Sequence, residues 1–333
     1  MGAEQVLEGL RETDGGFCSG QALSRRLGVS RAQVWKHIES LRERGYAIEG
    51  EAGGGYRLTS IPDRLYASEV QRGLQTRELA QNLVYFEEID STNRFVFDEG
   101  RRGAPAGTTA IAESQSAGRG RLGRSFHSPA HLNLYTSILL RPALSTVEAP
   151  TLVHAAAVGC ANAIAAFVPD PSHVEIKWPN DILLGGRKTC GILMESHAEA
   201  TRLEFAVVGI GVNLNIDRND FPDEFRSRAT SLRSHTGKPI DRIPFARALF
   251  EALEASFDRH ASGGFAAIRP AYEARFRMRG KSVRIADLGG AERDGRVLGI
   301  ADDGSLRLGR ADGREECVIA GDVTLSKEGA PHG

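Results

Sequence analysis

The sequence predicts an α+β protein in three parts: a winged helix-turn-helix, a central mixed-sheet α/β domain and a small C-terminal β-barrel. Three observations predict it. Residues 1–60 carry helical periodicity closed by glycine breaks, then a glycine-rich hairpin. From Ala67 to about Arg269 strand and helix patterns mix without the βαβ regularity of a doubly wound sheet. After Gly280 short strands are split by Gly/Asp turns. The expected boundaries are 1–62, 67–276 and 277–327, since 333 residues is long for one domain.

In the first part, a helix is expected over Ala3–Arg11 with Val6, Leu7 and Leu10 inward. Ser19 can cap a second helix carrying Ala22, Leu23 and Leu27, which Gly28 ends. Ser30 opens a third, with Gln33 placed to complete a capping box. Val34, Ile38 and Leu41 recur at i, i+4, i+7 and make one buried stripe, leaving Arg31, Gln33 and Lys36 as the outward residues that can meet DNA. Gly45 stops the helix, and Tyr46 to Leu58 reads as a hairpin with Gly53–Gly55 at its tip. Between Gln21 and Arg44 six Lys/Arg stand against two acids, but over residues 1–60 the signs balance at eight each. One copy should therefore bind DNA weakly, and a dimer on two half-sites is expected.

A linker at Ile61–Tyr66 leads into the central part. Strands are expected at Leu83–Glu87, Thr109–Ser114, Leu132–Leu140, Val174–Lys177, Asp181–Leu184, Gly191–Ser196 and Thr201–Asn215. Helices are expected at Ala67–Leu74, Thr92–Asp98, Pro150–Phe167, Pro244–His260 and Gly264–Phe276. Gly185-Gly186 is a hairpin signal, so the sheet should be mixed or antiparallel. The C-terminal strands are expected at Ser282–Ile285, Gly295–Ile300, Leu306–Leu308 and Glu316–Ile319, with Asp303-Gly304 and Asp312-Gly313 as turns.

Net charge is −1, so no global field recruits nucleic acid or membrane. Cys18, Cys160, Cys190 and Cys317 lie far apart with no CxxC spacing. They argue against structural zinc and a disulfide framework and fit a reducing cytoplasm. The most apolar run, Thr151–Val168, is mainly alanine and contains His154 and Asn162. It reads as a core helix rather than a membrane span.

The chemistry is expected around Ser114–Arg124. Gly118, Gly120 and Gly123 alternate there with Arg119, Arg121 and Arg124. Glycines let the backbone approach a ligand, and guanidiniums grip an anion with several donors. Ser91-Thr92-Asn93 follows a strand and opens a helix; its hydroxyls can cap that helix or bond a polar ligand. In Lys177-Trp178-Pro179-Asn180-Asp181 a lysine ends an apolar strand, and Trp178 is expected in the core. Gly185–Gly191 holds Arg187 and Lys188 in a tight turn and lacks P-loop spacing. Glycines inside the apolar run Gly209–Asn213 suggest close approach to a ligand. No Ser-His-Asp or Cys-His arrangement is found.

These motifs resemble those of the bifunctional biotin–protein ligases that also repress the biotin operon. The matching runs are Ser116–Arg124 (SxGRGxxGR), Lys177–Asp181 (KWPND), Lys188–Leu193 (KxxGIL) and Gly209–Asn213 (GIGVN). Gly28–Arg31 and Val34–Ile38 match in the N-terminal part, so the resemblance spans the chain in order. Leu122, where a basic residue can occur, and Thr189-Cys190 are the departures.

The resemblance implies a biotin-ligase central domain and an SH3-like C-terminal barrel. It also implies an activity: biotin and Mg2+-ATP form biotinyl-5′-AMP, and biotin passes to a lysine of the biotin carboxyl carrier protein. Operator DNA and a ligand-promoted homodimer are the other implied partners, in the cytoplasm, with no membrane. Ser91, Thr92, Asn93 and Gln115 resemble the biotin-ring contacts, and Arg119, Gly120, Arg121 and Lys177 the contacts to tail and phosphate. Lys177 and Arg121 are the implied catalytic residues. Arg119, Arg121, Arg124, Lys188 and Asn213 are implied at the adenylate, and Phe221 or Phe225 at adenine. The competing readings are a biotin-sensing repressor without ligase activity, a lipoate ligase, and an ordinary winged-helix factor with an unrelated sensor.

Overall fold

The computed structural model describes residues 2–51, 53–286 and 291–325. The chain divides into two compact units, Met1–Arg64 and Leu65–Gly333.

Caps define the first unit. α1 (Gly2–Arg11) turns Val6, Leu7 and Leu10 inward. α2 (Gly20–Leu27) starts at Ser19, whose hydroxyl accepts from the Ala22 amide at 3.0 Å, and ends where Gly28 takes φ 65°. Leu23 is buried on α2, while Ala22 is exposed. α3 (Arg31–Glu43) carries the full capping box: the Gln33 amide donates to Ser30 Oγ at 3.2 Å, and the Ser30 amide donates to Gln33 Oε1 at 2.8 Å. Val34, Ile38 and Leu41 are fully buried against α1 and α2. β1 (Ala47–Glu51) and β2 (Gly55–Ser60) form the antiparallel wing. Cys18 adds a third rung, exchanging both backbone hydrogen bonds with Tyr56. Gly55, at φ 109°, presses on the Cys18 carbonyl, so a side chain there has neither the conformation nor the space.

In the second unit α4 (Ala67–Gln71) leads to β3 (Leu83–Ile89), α5 (Thr92–Arg101), β4 (Thr109–Gln115) and β5 (Leu134–Leu140). α6 (Thr151–Ala165) follows, then β6 (Val174–Lys177), β7 (Asp181–Leu184), β8 (Arg187–Glu199) and β9 (Arg202–Val212). The seven strands form one sheet in the order β3-β4-β5-β9-β8-β7-β6. Only the β3–β4 pair is parallel, so the sheet is mixed, as the turn signals predict. Short α7 (Asp223–Arg226) and α8 (Leu232–Thr236) precede α9 (Arg242–Arg275). The two expected helices, Pro244–His260 and Gly264–Phe276, are the two arms of α9, separated by a kink at Gly263–Gly264, where Gly264 takes φ 62°.

Strand alternation divides the sheet's residues between two layers. Ile111, Ile138, Ile192, Val208 and Ile210 join α6 and α9 in the main core. Ala110, Leu139, Phe205 and Val207 point the other way, onto Val96 of α5. α5 has ten residues and packs mainly on β4, β5 and β9.

The C-terminal strands are β10 (Ser282–Ala286), β11 (Glu292–Ile300), β12 (Leu306–Gly309), β13 (Glu315–Val318) and β14 (Asp322–Leu325). They form an antiparallel sheet in the order β13-β12-β11-β10-β14. The described pairing has β13 and β14 at its two ends, so it establishes a sheet rather than the closed barrel the sequence suggests. Val283, Ile285, Val297 and Leu308 belong to the same core as α6 and α9. Trp178, 1% exposed, donates from Nε1 to the Gly304 carbonyl at 3.0 Å. The expected core role of that tryptophan is thus met by tying the β6–β7 turn to the C-terminal sheet.

Candidate functional site

A cavity opens on the α5 side of the central sheet. Its floor is made by register: Gly191 of β8 pairs with Gly211 of β9, and Leu193 with Gly209. Three glycines on one face of two neighbouring strands leave a patch of bare backbone. The Phe126 ring lies over Gly191 and Gly211, and the Asn93 side chain lies over Gly209. Those two side chains occupy the space that the glycines were expected to give a ligand.

The rim at one end is polar. Thr92 donates from its amide to Gln115 Oε1 at 2.9 Å, and its hydroxyl lies 3.1 Å from the same atom. Gln115 Nε2 reaches Ser128 Oγ at 3.3 Å. The Ser137 hydroxyl lies 2.8 Å from Thr92 Oγ1 and 2.6 Å from Asn93 Oδ1. Asn93 Nδ2 donates to Glu195 Oε2 at 2.9 Å. Ser91 caps α5 only through a long 3.5 Å contact to the Arg94 amide, so its hydroxyl is weakly engaged. All three residues Ser91–Asn93 are buried and line the cavity.

The other end is cationic. Arg119, Arg121 and Lys188 line it, together with Gly120 and Asn180. Arg121 donates to Asn180 Oδ1 at 3.1 Å. Burial lowers the Arg121 pKa from the usual guanidinium value, against the pull of Asp181 and Asp322. Arg119 lies 3.8 Å from Glu195, and Lys188 Nζ 2.6 Å from Asp181 Oδ1. Leu122, the loop residue that departs from the family pattern, is exposed and held at φ 57°, a backbone state costly for a branched side chain.

Three residues implied at the site, Lys177, Asn213 and Arg124, do not line the cavity. Lys177 ends β6 at the sheet's edge, with Nζ 3.9 Å from Asp181 Oδ2. Asn213 is buried and donates to the Thr230 carbonyl at 3.2 Å, so its amide fixes the chain after β9. Arg124 pairs instead with Asp322 of β14. Burial works to raise the Asp322 carboxyl, but Arg124, Lys177 and Arg121 together hold it below its ordinary value. Phe221 is buried with Ile216 and Ala229, and Phe225 packs half-buried beside them. Phe126 and Thr136 line the cavity without having been singled out, and Asn180, Gly191 and Gly211 do so from motifs that were. Their signal is the sheet register, which a linear pattern does not show.

On the first unit, Arg31, Gln33 and Lys36 are all exposed on α3. Half of the Gln33 amide is spent: its carbonyl accepts from Ser30.

A sequence model of the biotin/lipoate A/B protein ligase family matches residues 85–213, and one of the helix-turn-helix domain matches 3–57. The bifunctional ligase/repressor BirA of Bacillus subtilis is 37% identical over 97% of this chain and 98% of its own length. This chain belongs to the bifunctional biotin–protein ligase/repressor family. The Escherichia coli bifunctional ligase/repressor BirA is 31% identical over 94% of both chains. A biotin protein ligase of Aquifex aeolicus, solved in complex with biotin and ATP, is 26% identical with a TM-score of 0.62, covering 74% of this chain and 99% of that one. Among the described residues, no helix is long and apolar enough to cross a membrane.

Proposed function

We propose that the cavity joins biotin to ATP as biotinyl-5′-AMP and hands the biotinyl group to a lysine of a biotin carboxyl carrier protein. The observation that carries this reading is the meeting of Arg119, Arg121 and Lys188 above a glycine floor whose far rim is polar. A bicyclic ring with a carboxylate tail suits that division. Ser91, Thr92, Asn93 and Gln115 would bond the ureido ring, and Phe126 would cover the apolar body. The tail would run to the cations.

There a biotin carboxylate oxygen attacks the α-phosphorus of ATP. The new P–O bond forms as the bond to pyrophosphate breaks. Two anions must approach, and a unit charge pair at 4 Å is worth roughly 4 kcal/mol at an effective dielectric near 20. Arg119, Arg121 and Lys188 offset that repulsion where charge develops, which is electrostatic preorganisation without a protein nucleophile. The carrier lysine then attacks the acyl carbon, and AMP leaves.

Lys188 takes the central role that the motif resemblance suggests for Lys177. Lys177 would act from outside, by sharing Asp181 and so leaving Lys188 less tightly held. Arg124 would serve the nucleotide phosphates after release from Asp322. Among the described residues no three His, Cys, Asp or Glu side chains converge to hold a metal. That fits magnesium, which is commonly held by one or two carboxylates plus substrate phosphates. Asp181 is the carboxylate beside the cations, and the ion would neutralise phosphate charge.

The winged helix-turn-helix would bind operator DNA as a homodimer promoted by the adenylate. The domains would run 1–62, 67–276 and 277–327, the last curling as an SH3-like fold, in the cytoplasm. The test is retention. After incubation with biotin and ATP, biotinyl-5′-AMP should co-elute with the chain on gel filtration, and Arg121→Gly should release it faster. Equal retention by the variant removes the loop's assigned role.

A further inference from the structure

The helix-turn-helix surface carries an apolar group that no charge-based reading uses. Trp35 lies on the N-terminal half of α3 and is 52% exposed. Its neighbours one turn back are Arg31 and the exposed, small Ala32. Phe17, the other exposed aromatic of this unit, sits under the Arg57 guanidinium at 4.8 Å. Trp35 has no ring or cation partner among the described residues.

The charges around it are selective. Glu39, one turn on, is taken by Arg42 at 2.6 Å, and Arg26 by Glu12. Arg31 and Lys36, on the same helix, stay unpaired among the described residues. The patch around the indole is therefore locally cationic even though the unit as a whole is balanced. Phosphate is its complement. The N-terminal residues of a recognition helix are those that meet base edges in the major groove. Gln33, the obvious reader there, has its carbonyl engaged in the capping box, so turning it to the two-bond contact with adenine gives up that bond.

We propose that Trp35 is the sequence-reading residue of α3, its indole covering thymine methyl groups in the major groove while Arg31 and Lys36 hold the flanking phosphates. The inference rests on the DNA-binding half of the function proposed above. Covering one methyl is worth about a fourfold gain in affinity.

The test uses the full chain with biotin and ATP. A duplex is first enriched from a random DNA pool by the wild-type protein. Each thymine is then replaced singly by deoxyuridine, which removes only the methyl, and affinities are measured for wild type, Trp35→Ala and Trp35→Phe. Wild type should lose about fourfold at one or two thymines per half-site. Trp35→Ala should bind the parent duplex more weakly and be indifferent to those substitutions, and Trp35→Phe should recover part of both. Enrichment followed by equal deoxyuridine effects in wild type and Trp35→Ala overturns the proposal and leaves operator binding standing. A Trp35→Ala defect in self-association in place of DNA affinity assigns the indole to a protein contact and also overturns it. Failure to enrich any duplex removes the DNA-binding reading and this inference together. Trp35 is exposed, so an unchanged melting temperature in both variants confirms that the fold is intact.

Discussion

Lys177 and Lys188 share one carboxylate, Asp181, yet only Lys188 lines the cavity. Lys188→Ala should lower kcat/KM for adenylate formation by about a hundredfold or more, the scale of losing one preorganised donor at developing charge. Lys177→Ala should cost about tenfold or less. Single-turnover rates with saturating ATP check both, and the reverse order would return the role to Lys177. The two lysines look alike in the sequence because each opens a motif. Strand order separates them: β6 is an edge strand, two strands away from the floor that β8 and β9 build. Ser91-Thr92-Asn93 and the Gly/Arg loop were legible because each places its groups within a few residues. The burial of Asn213 and Phe221 was not legible, because it depends on residues up to 17 positions later.

Element packing carries a pH dependence. His154 of α6 lies between Phe265 and Tyr272 of α9 and against Gly304 of the β11–β12 turn. Among the described residues neither ring nitrogen has a hydrogen-bond partner of good geometry, although the Pro150 and Gly304 backbones lie close enough to favour the proton weakly. Burial, with His260 nearby, pushes its pKa down to about 4. Its folded pKa is below the unfolded value near 6.5, so the unfolded chain binds the extra proton. Stability from this group is complete above about pH 6.5 and is lost as pH falls towards 4. At pH 4.5 the loss is about 2–3 kcal/mol. Urea unfolding at pH 7.5 and 4.5 should show that His154→Leu loses correspondingly less than wild type; an equal loss in both would place the titration elsewhere. The helices and central strands were legible through periodicity and turn residues. The break at Gly263–Gly264 was legible too, because two glycines in a row readily leave helical geometry. Strand β14 was not placed in advance, because it pairs with the distant β10 and no hairpin turn joins it to a partner.

At the scale of the whole molecule, a ligase unit and a helix-turn-helix unit share one chain of 36.0 kDa. The helix-turn-helix half was legible because caps and a buried stripe are local signals. Its partner surfaces were not, since sequence shows which residues are polar but not which charges are already paired. With eight charges of each sign over residues 1–60, a single copy lacks the field for tight DNA binding. Two copies double the phosphate contacts. Sedimentation equilibrium should therefore show the mass rising towards twice 36.0 kDa when biotin and ATP are added together, and staying near the monomer with biotin alone. An unchanged mass with both ligands would separate repression from the adenylate.

Biotin-dependent exchange of labelled pyrophosphate into ATP, with magnesium and without any carrier protein, tests the central claim most directly. It reads the reversal of adenylate formation and nothing that follows. Exchange that requires biotin, is not supported by lipoate and collapses in Lys188→Ala is the predicted result. No exchange, with biotin still binding by calorimetry, would contradict the account and leave a sensor in place of a ligase.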